Sequence, residues 1–112
     1  MIGPIALTIS NLENVNFLKR GVYLLAEKVE KHMVIKYVGR GILVSRLEIK
    51  LDIYSYFFYV IMEDSDDAFL KEWDEFHRYG KADHLRNKVH PSRPNKELPL
   101  CSVRGCEDMG VK

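Results

Sequence analysis

Four side chains in the C-terminal part of the sequence have the chemistry to bind a transition metal. They run His84-x5-His90-x10-Cys101-x4-Cys106, a set of imidazoles and thiols of the kind that holds tetrahedral zinc. The Cys-x4-Cys spacing is permitted, while His-x5-His sits at the edge of the usual range. The residues between them show no ββα pattern. Two unrelated free thiols account for the cysteines more simply, so His84, His90, Cys101 and Cys106 stand only as weak zinc candidates, and no cofactor is expected. Both cysteines of the chain belong to this segment. A disulfide scaffold would spread more of them along the chain, and a reducing, intracellular and cytoplasmic location is expected.

Acid and base chemistry is sparser. Asp66 and Asp67 are adjacent, which suits capping of a helix better than shared proton transfer. Asp74 and His77 stand three apart on a predicted helix, close enough for a surface ion pair. The sequence has no Gly-rich phosphate loop after a strand, no G-x-S-x-G, no H-E-x-x-H and no EF-hand loop. A non-enzymatic protein is therefore expected.

Two further groups of residues point to binding. Tyr54-Ser55-Tyr56-Phe57-Phe58-Tyr59 could stack the bases of a single strand, yet it contains no Lys or Arg, and packing on two covered sides explains it without a ligand. Tyr54 and Tyr56 on an outer side would instead suit a protein or dimer interface, where tyrosine is enriched. The basic residues Arg78, Lys81, Arg86, Lys88, Arg93 and Lys96 form a proline-broken segment suited to phosphate contacts without base readout. A solvated extension is the alternative.

The total charge conceals a segregated distribution. The formal net charge is +1 over 112 residues. Residues 19–50 hold eight Lys/Arg against three Glu, and residues 63–75 hold seven acids against Lys71 alone. Residues 77–104 then hold seven Lys/Arg against Asp83 and Glu97. Blocks of opposite sign suit complementary patches, and Asp66, Asp67 and Glu72 are the candidates for an acidic protein-contact face.

The elements that would position these groups follow from hydrophobic period. Ile5, Leu7 and Ile9 alternate with small polar residues as a short strand, and Ser10-x-x-Glu13 fits a capping box. Val15, Leu18, Val22, Leu25 and Val29 recur at helical steps, which favours a helix. A turn at Lys19-Arg20-Gly21 with a strand over Val22–Val29 is the competing interpretation. Val34–Val38 is β-branched and aromatic, with a hairpin signal at Gly39-Arg40-Gly41. Leu47, Ile49, Leu51 and Ile53 alternate with polar residues and predict a half-buried strand. Tyr56–Met62 is apolar at both parities, as in a central strand covered on two sides, with a break at Asp52–Ser55. Asp64-Ser65-Asp66-Asp67 predicts a helix start, Phe69, Leu70, Trp73, Phe76 and His77 its stripe, and Gly80 its end. Pro91, Pro94 and Pro99 exclude a long regular element beyond it.

The result is an α+β domain over residues 1–83, ordered β-α-β-β-β-α. A three- or four-stranded, mainly antiparallel sheet would pack one or two helices on one face. Residues 84–112 form an irregular basic tail. The α-β-β-β-α order over roughly residues 12–80 is similar to that of double-stranded-RNA-binding domains and of the small Alu-binding subunits of the signal recognition particle. The first family starts its second helix with lysines, whereas this one starts Asp64-Ser65-Asp66-Asp67, so no functional residue is carried over.

Met1-Ile2-Gly3-Pro4 lacks the basic start of a signal peptide, and no window holds the roughly 20 apolar residues of a membrane span. The expected function is a small interaction module, acting as adaptor, subunit or inhibitor through protein contacts, with a second copy of itself among the candidate partners. Nucleic-acid binding, RNA before DNA, through the tail and the segment Lys19–Lys50 is the alternative.

Overall fold

Val22, Tyr23, Leu24, Leu25 and Ala26 are each no more than 3% exposed, so consecutive side chains are buried in opposite directions. That is the signature of a strand covered on both faces. In the structure, a computed structural model that describes residues 1–14, 18–80 and 85–86, these residues form the middle of β2 (Arg20–Val29). The helix expected over Val15–Val29 is therefore replaced, over its described C-terminal part, by the competing strand. Leu18 and Val29, two members of the helical stripe, are 87% and 48% exposed. An apolar run satisfies a period of 3.6 and a period of 2 alike, and here the neighbours on both sides of the strand decided between them.

The other strands are β1 (Ile2–Ala6), β3 (His32–Ile42) and β4 (Tyr56–Ile61). They form one sheet in the order β1-β4-β2-β3, every pairing antiparallel. The expected α+β class, the antiparallel sheet and the central position of the strand beginning at Tyr56 all hold. β2 and β3 join through Glu30-Lys31, with Val29 facing His32 and Glu30 in the left-handed region at φ 56°. The turn expected at Gly39-Arg40-Gly41 lies instead inside β3. A Cβ on Gly39 would collide with the ring and hydroxyl of Tyr23, and one on Gly41 would meet the Arg46 side chain. These glycines serve close packing across the sheet face, not chain reversal.

The strand expected at Leu47–Ile53 is not formed. Leu43–Glu48 make a helix, α2. Its exit is a series of tight turns in which Lys50, Leu51 and Ile53 donate to the carbonyls three residues back, at 3.0–3.3 Å. Leu43 and Leu47 are fully buried while Ile49 and Ile53 are 63% and 52% exposed. The i, i+4 pair of leucines, not the alternation, marks the side that faces the core. A short helix α1 (Ile9–Leu12) is capped by Thr8, whose hydroxyl accepts from the Asn11 N–H at 3.1 Å. Ser10 lies inside α1 and does not cap it, and the first strand ends at Ala6. The observed order is β-α-β-β-α-β-α, the expected β-α-β-β-β-α with the short helix α2 inserted before the last strand.

α3 (Ser65–Arg78) begins as expected. Asp64 Oδ1 accepts from the Asp66 and Asp67 N–H groups, both at 2.9 Å. Gly80 follows its end in the left-handed region at φ 95°. Helices cover both faces of the sheet, where one face was expected. Tyr23, Leu25 and Phe57 pack with Leu7, Leu12, Leu43, Leu47 and Tyr54 under α1 and α2. Leu24 and Val38 pack with Phe76 of α3 and with Leu85 on the other side. Beyond α3, the Arg86 N–H donates to the Lys36 carbonyl of the edge strand β3 at 2.6 Å. Leu85 is only 6% exposed, so a chain ending at residue 83 lacks a core side chain. Among the described residues no helix is long and apolar enough to cross a membrane.

Candidate functional site

α2 buries Leu43 and Leu47 and turns the rest of its surface to solvent. Successive residues of a helix are about 100° apart. The outward arc therefore reads Val44, Glu48, Ser45, Ile49, Arg46 from one flank to the other. The two flanks border clefts of opposite character.

On the acidic flank, Ile9 and Leu12 of α1, Val44 of α2 and Leu51 line an apolar cleft of about 250 Å³, rimmed by Glu13 and Glu48. On the basic flank, Arg20, Ser45 and Arg46 line a cleft of about 420 Å³ whose apolar walls are Ile42 and Ile49. A smaller cleft of about 180 Å³ continues from it around the end of the sheet and adds Arg40, Glu63 and Ser65. Three arginines from β2, β3 and α2 thus converge where Gly21 and Gly41 leave room. A Cβ on Gly21 would collide with the Val60 carbonyl oxygen, so this glycine is set by the close approach of β2 and β4.

Arg40 is already committed. It pairs with Glu72 of α3 and lies over the Phe69 ring, 5.4 Å from its centroid. Burial pushes the Glu72 carboxyl above its ordinary pKa, against the opposing pull of Arg40. Among the described residues, Arg20, Arg46, Glu13 and Glu48 form no salt bridge, though the Arg46 charge also favours the ionised forms of Glu72, Tyr23 and Tyr37 from a longer distance. The Glu63 carboxylate accepts from the Arg20 backbone N–H at 3.2 Å.

The residues singled out in the sequence are dispersed. Asp66 and Asp67 occupy the first turn of α3, Asp67 exposed and Asp66 half-buried. Glu72 is 7% exposed and Tyr54 6% exposed, so neither presents a surface. Tyr56 is half-buried in β4 between Ala6 and Ala26. Arg78 stays on α3, 3.7 Å from Asp74 and 3.6 Å from Glu75. Asp74 thus engages Arg78, while His77 Nδ1 bonds the Trp73 carbonyl at 2.7 Å. Arg86 rests over the Tyr54 ring, 5.3 Å from its centroid. Lys81, Lys88, Arg93 and Lys96, and the zinc candidates His84, His90, Cys101 and Cys106, lie outside the described residues. Among the described residues, no group of three or more His, Cys, Asp or Glu could hold a metal ion.

Sequence reasoning did not single out Ile9, Val44, Glu48 and Ile49 as surface candidates, and it reached Arg20 and Arg46 only as part of the basic segment Lys19–Lys50. The signal was present in the four-residue spacing of Leu43, Leu47 and Leu51, which turns Arg46 and Ile49 outward. Comparison with protein-family profiles, curated proteins and solved structures returned no match.

Proposed function

We propose that this protein is a small, non-enzymatic interaction module of the cytoplasm that works through protein–protein contacts, with the α2 crest as its docking face. The observation that carries this reading is Ile49, 63% exposed, on a helix crest flanked by Arg46 on one side and Glu48 on the other, neither of which forms a salt bridge among the described residues. An exposed apolar centre with a charged rim is the usual anatomy of a protein interface. The opposed charges would steer the approach of a partner and fix its register.

The test places a photo-crosslinking amino acid at Ile49 and, as a control, at Lys28, which lies toward the opposite end of β2. Protein adducts are expected from position 49 and not from position 28. Equal adducts from both positions, or none, would defeat the reading. Nucleic-acid binding has one observation in its favour, the convergence of Arg20, Arg40 and Arg46. It requires nucleotide adducts at position 49 and affinity for labelled RNA that falls steeply between roughly 50 and 200 mM salt.

A further inference from the structure

We infer that the partner of the α2 crest is a second copy of this chain, related to the first by a two-fold axis over Ser45. The inference rests on the docking role proposed for the crest and names its occupant.

The argument is charge and shape complementarity within one molecule. A two-fold interface requires that residue i meet residue j of the other copy and j meet i. The crest meets this condition. Glu13 and Glu48 lie on one flank and Arg20 and Arg46 on the other, and none of the four forms a salt bridge among the described residues. Rotation about the crest lays each acidic flank over the other copy's basic flank, twice in one interface. The same rotation carries Ile49 of each copy toward the apolar cleft lined by Ile9 and Val44 of the other. Ile9 is 67% exposed and Ile49 63%, so each would bury apolar area that the single chain leaves wet. Ser45 at the centre is small enough to let the two helices approach closely. Docking with the flanks unreversed would set like charges against each other, which selects the arrangement in which the two α2 helices run parallel, related by an axis along the crest.

The patch is confined to α1, α2 and the adjoining strand end, so the dimer belongs with the smaller, transient interfaces. Sedimentation equilibrium of the full chain should show self-association in roughly the micromolar range, weakened by added salt. Arg46→Glu and Glu48→Arg reverse one flank each, on exposed positions. Each variant alone should associate about tenfold or more weakly, since like charges then face each other across the axis. An equimolar mixture of the two should restore association, because the reversed flanks again find opposite charges.

Ile53→Ser, on an exposed residue off the crest, should leave association unchanged, and circular dichroism of every variant checks that it is folded. A wild-type chain that stays monomeric at several hundred micromolar would overturn the inference. So would single reversals that change nothing, or folded variants whose mixture fails to associate. Adducts of a different protein at position 49, from a monomeric chain, would remove the second copy and leave the docking role standing. Absence of any protein adduct there would remove both.

Discussion

At the scale of single residues, the fold depends on a few close approaches that composition does not reveal. Gly39 lies under Tyr23, and the missing side chain is what admits the ring. Gly39→Ala should destabilise the protein by about 1–3 kcal/mol, the range for overpacking a filled site. Combined with Tyr23→Leu in a denaturant double-mutant cycle, its cost should shrink, because the colliding ring is gone. Additive costs would mean that the strain arises elsewhere.

Glu72 gives a second residue-scale prediction, in the pH dependence of stability. Its folded pKa is raised by burial, so below the ordinary glutamate pKa of about 4.3 both folded and unfolded chains carry the proton. As pH rises past that value the unfolded chain ionises first, and native stability is lost until the folded pKa is reached. Glu72→Gln removes this term. Its melting temperature relative to wild type should therefore climb as pH increases above about 4 and then level off. A relative melting temperature that falls over the same range would mean that the Arg40 pairing outweighs burial.

Burial also raises the Tyr23 phenol above its ordinary range, with the neighbouring Tyr37 adding to the shift. Stability should be lost as pH rises past the ordinary tyrosine value of about 10. In an ultraviolet titration the Tyr23 step should coincide with alkaline unfolding and be absent from Tyr23→Phe.

At the scale of elements, α3 and β4 were legible in the sequence and β2 and α2 were not. α3 announces itself locally. An aspartate cap precedes an apolar stripe and a glycine follows its end, each signal acting within a few residues. Asp64→Ala should cost about 1 kcal/mol of stability through loss of the two N–H bonds at the helix start. Thermal unfolding measures it, and an unchanged midpoint would show that the acidic first turn is held by other contacts. β2 is apolar at every position from Val22 to Ala26, so its own pattern permits helix or strand. α2 carries two superposed patterns, the alternation Leu47-Ile49-Leu51-Ile53 and the four-residue step Leu43-Leu47-Leu51. Only the second matches the buried face.

At the scale of the whole molecule, the segment after α3 closes the second core. Leu85 packs with Leu24, Val38 and Phe76, and the adjacent Arg86 N–H bonds the exposed edge of β3. Leu85→Ala should destabilise the chain by about 2–4 kcal/mol, the cost of a truncated core leucine. An effect below about 1 kcal/mol in chemical denaturation would place that side chain outside the cooperative core. The same packing has a practical consequence for functional tests. Point substitutions of basic residues separate binding from folding, whereas removal of everything after Asp83 changes both.

The sequence by itself determined the α+β class, an antiparallel sheet with a strand at Tyr56 covered on both sides, and a capped helix from Asp64 to Gly80. Each is written in short-range signals, namely dense apolar parity, an aspartate cap and a glycine stop. Only the tertiary structure decided that Val22–Val29 is a strand, that Leu43–Glu48 is a helix, and that Arg20 comes beside Arg46 while Glu13 comes beside Glu48. Strand hydrogen bonds and two-sided burial are supplied by residues distant in the chain. An apolar segment therefore takes its period from its neighbours, and the polar residues between its apolar positions acquire their faces only once that period is fixed.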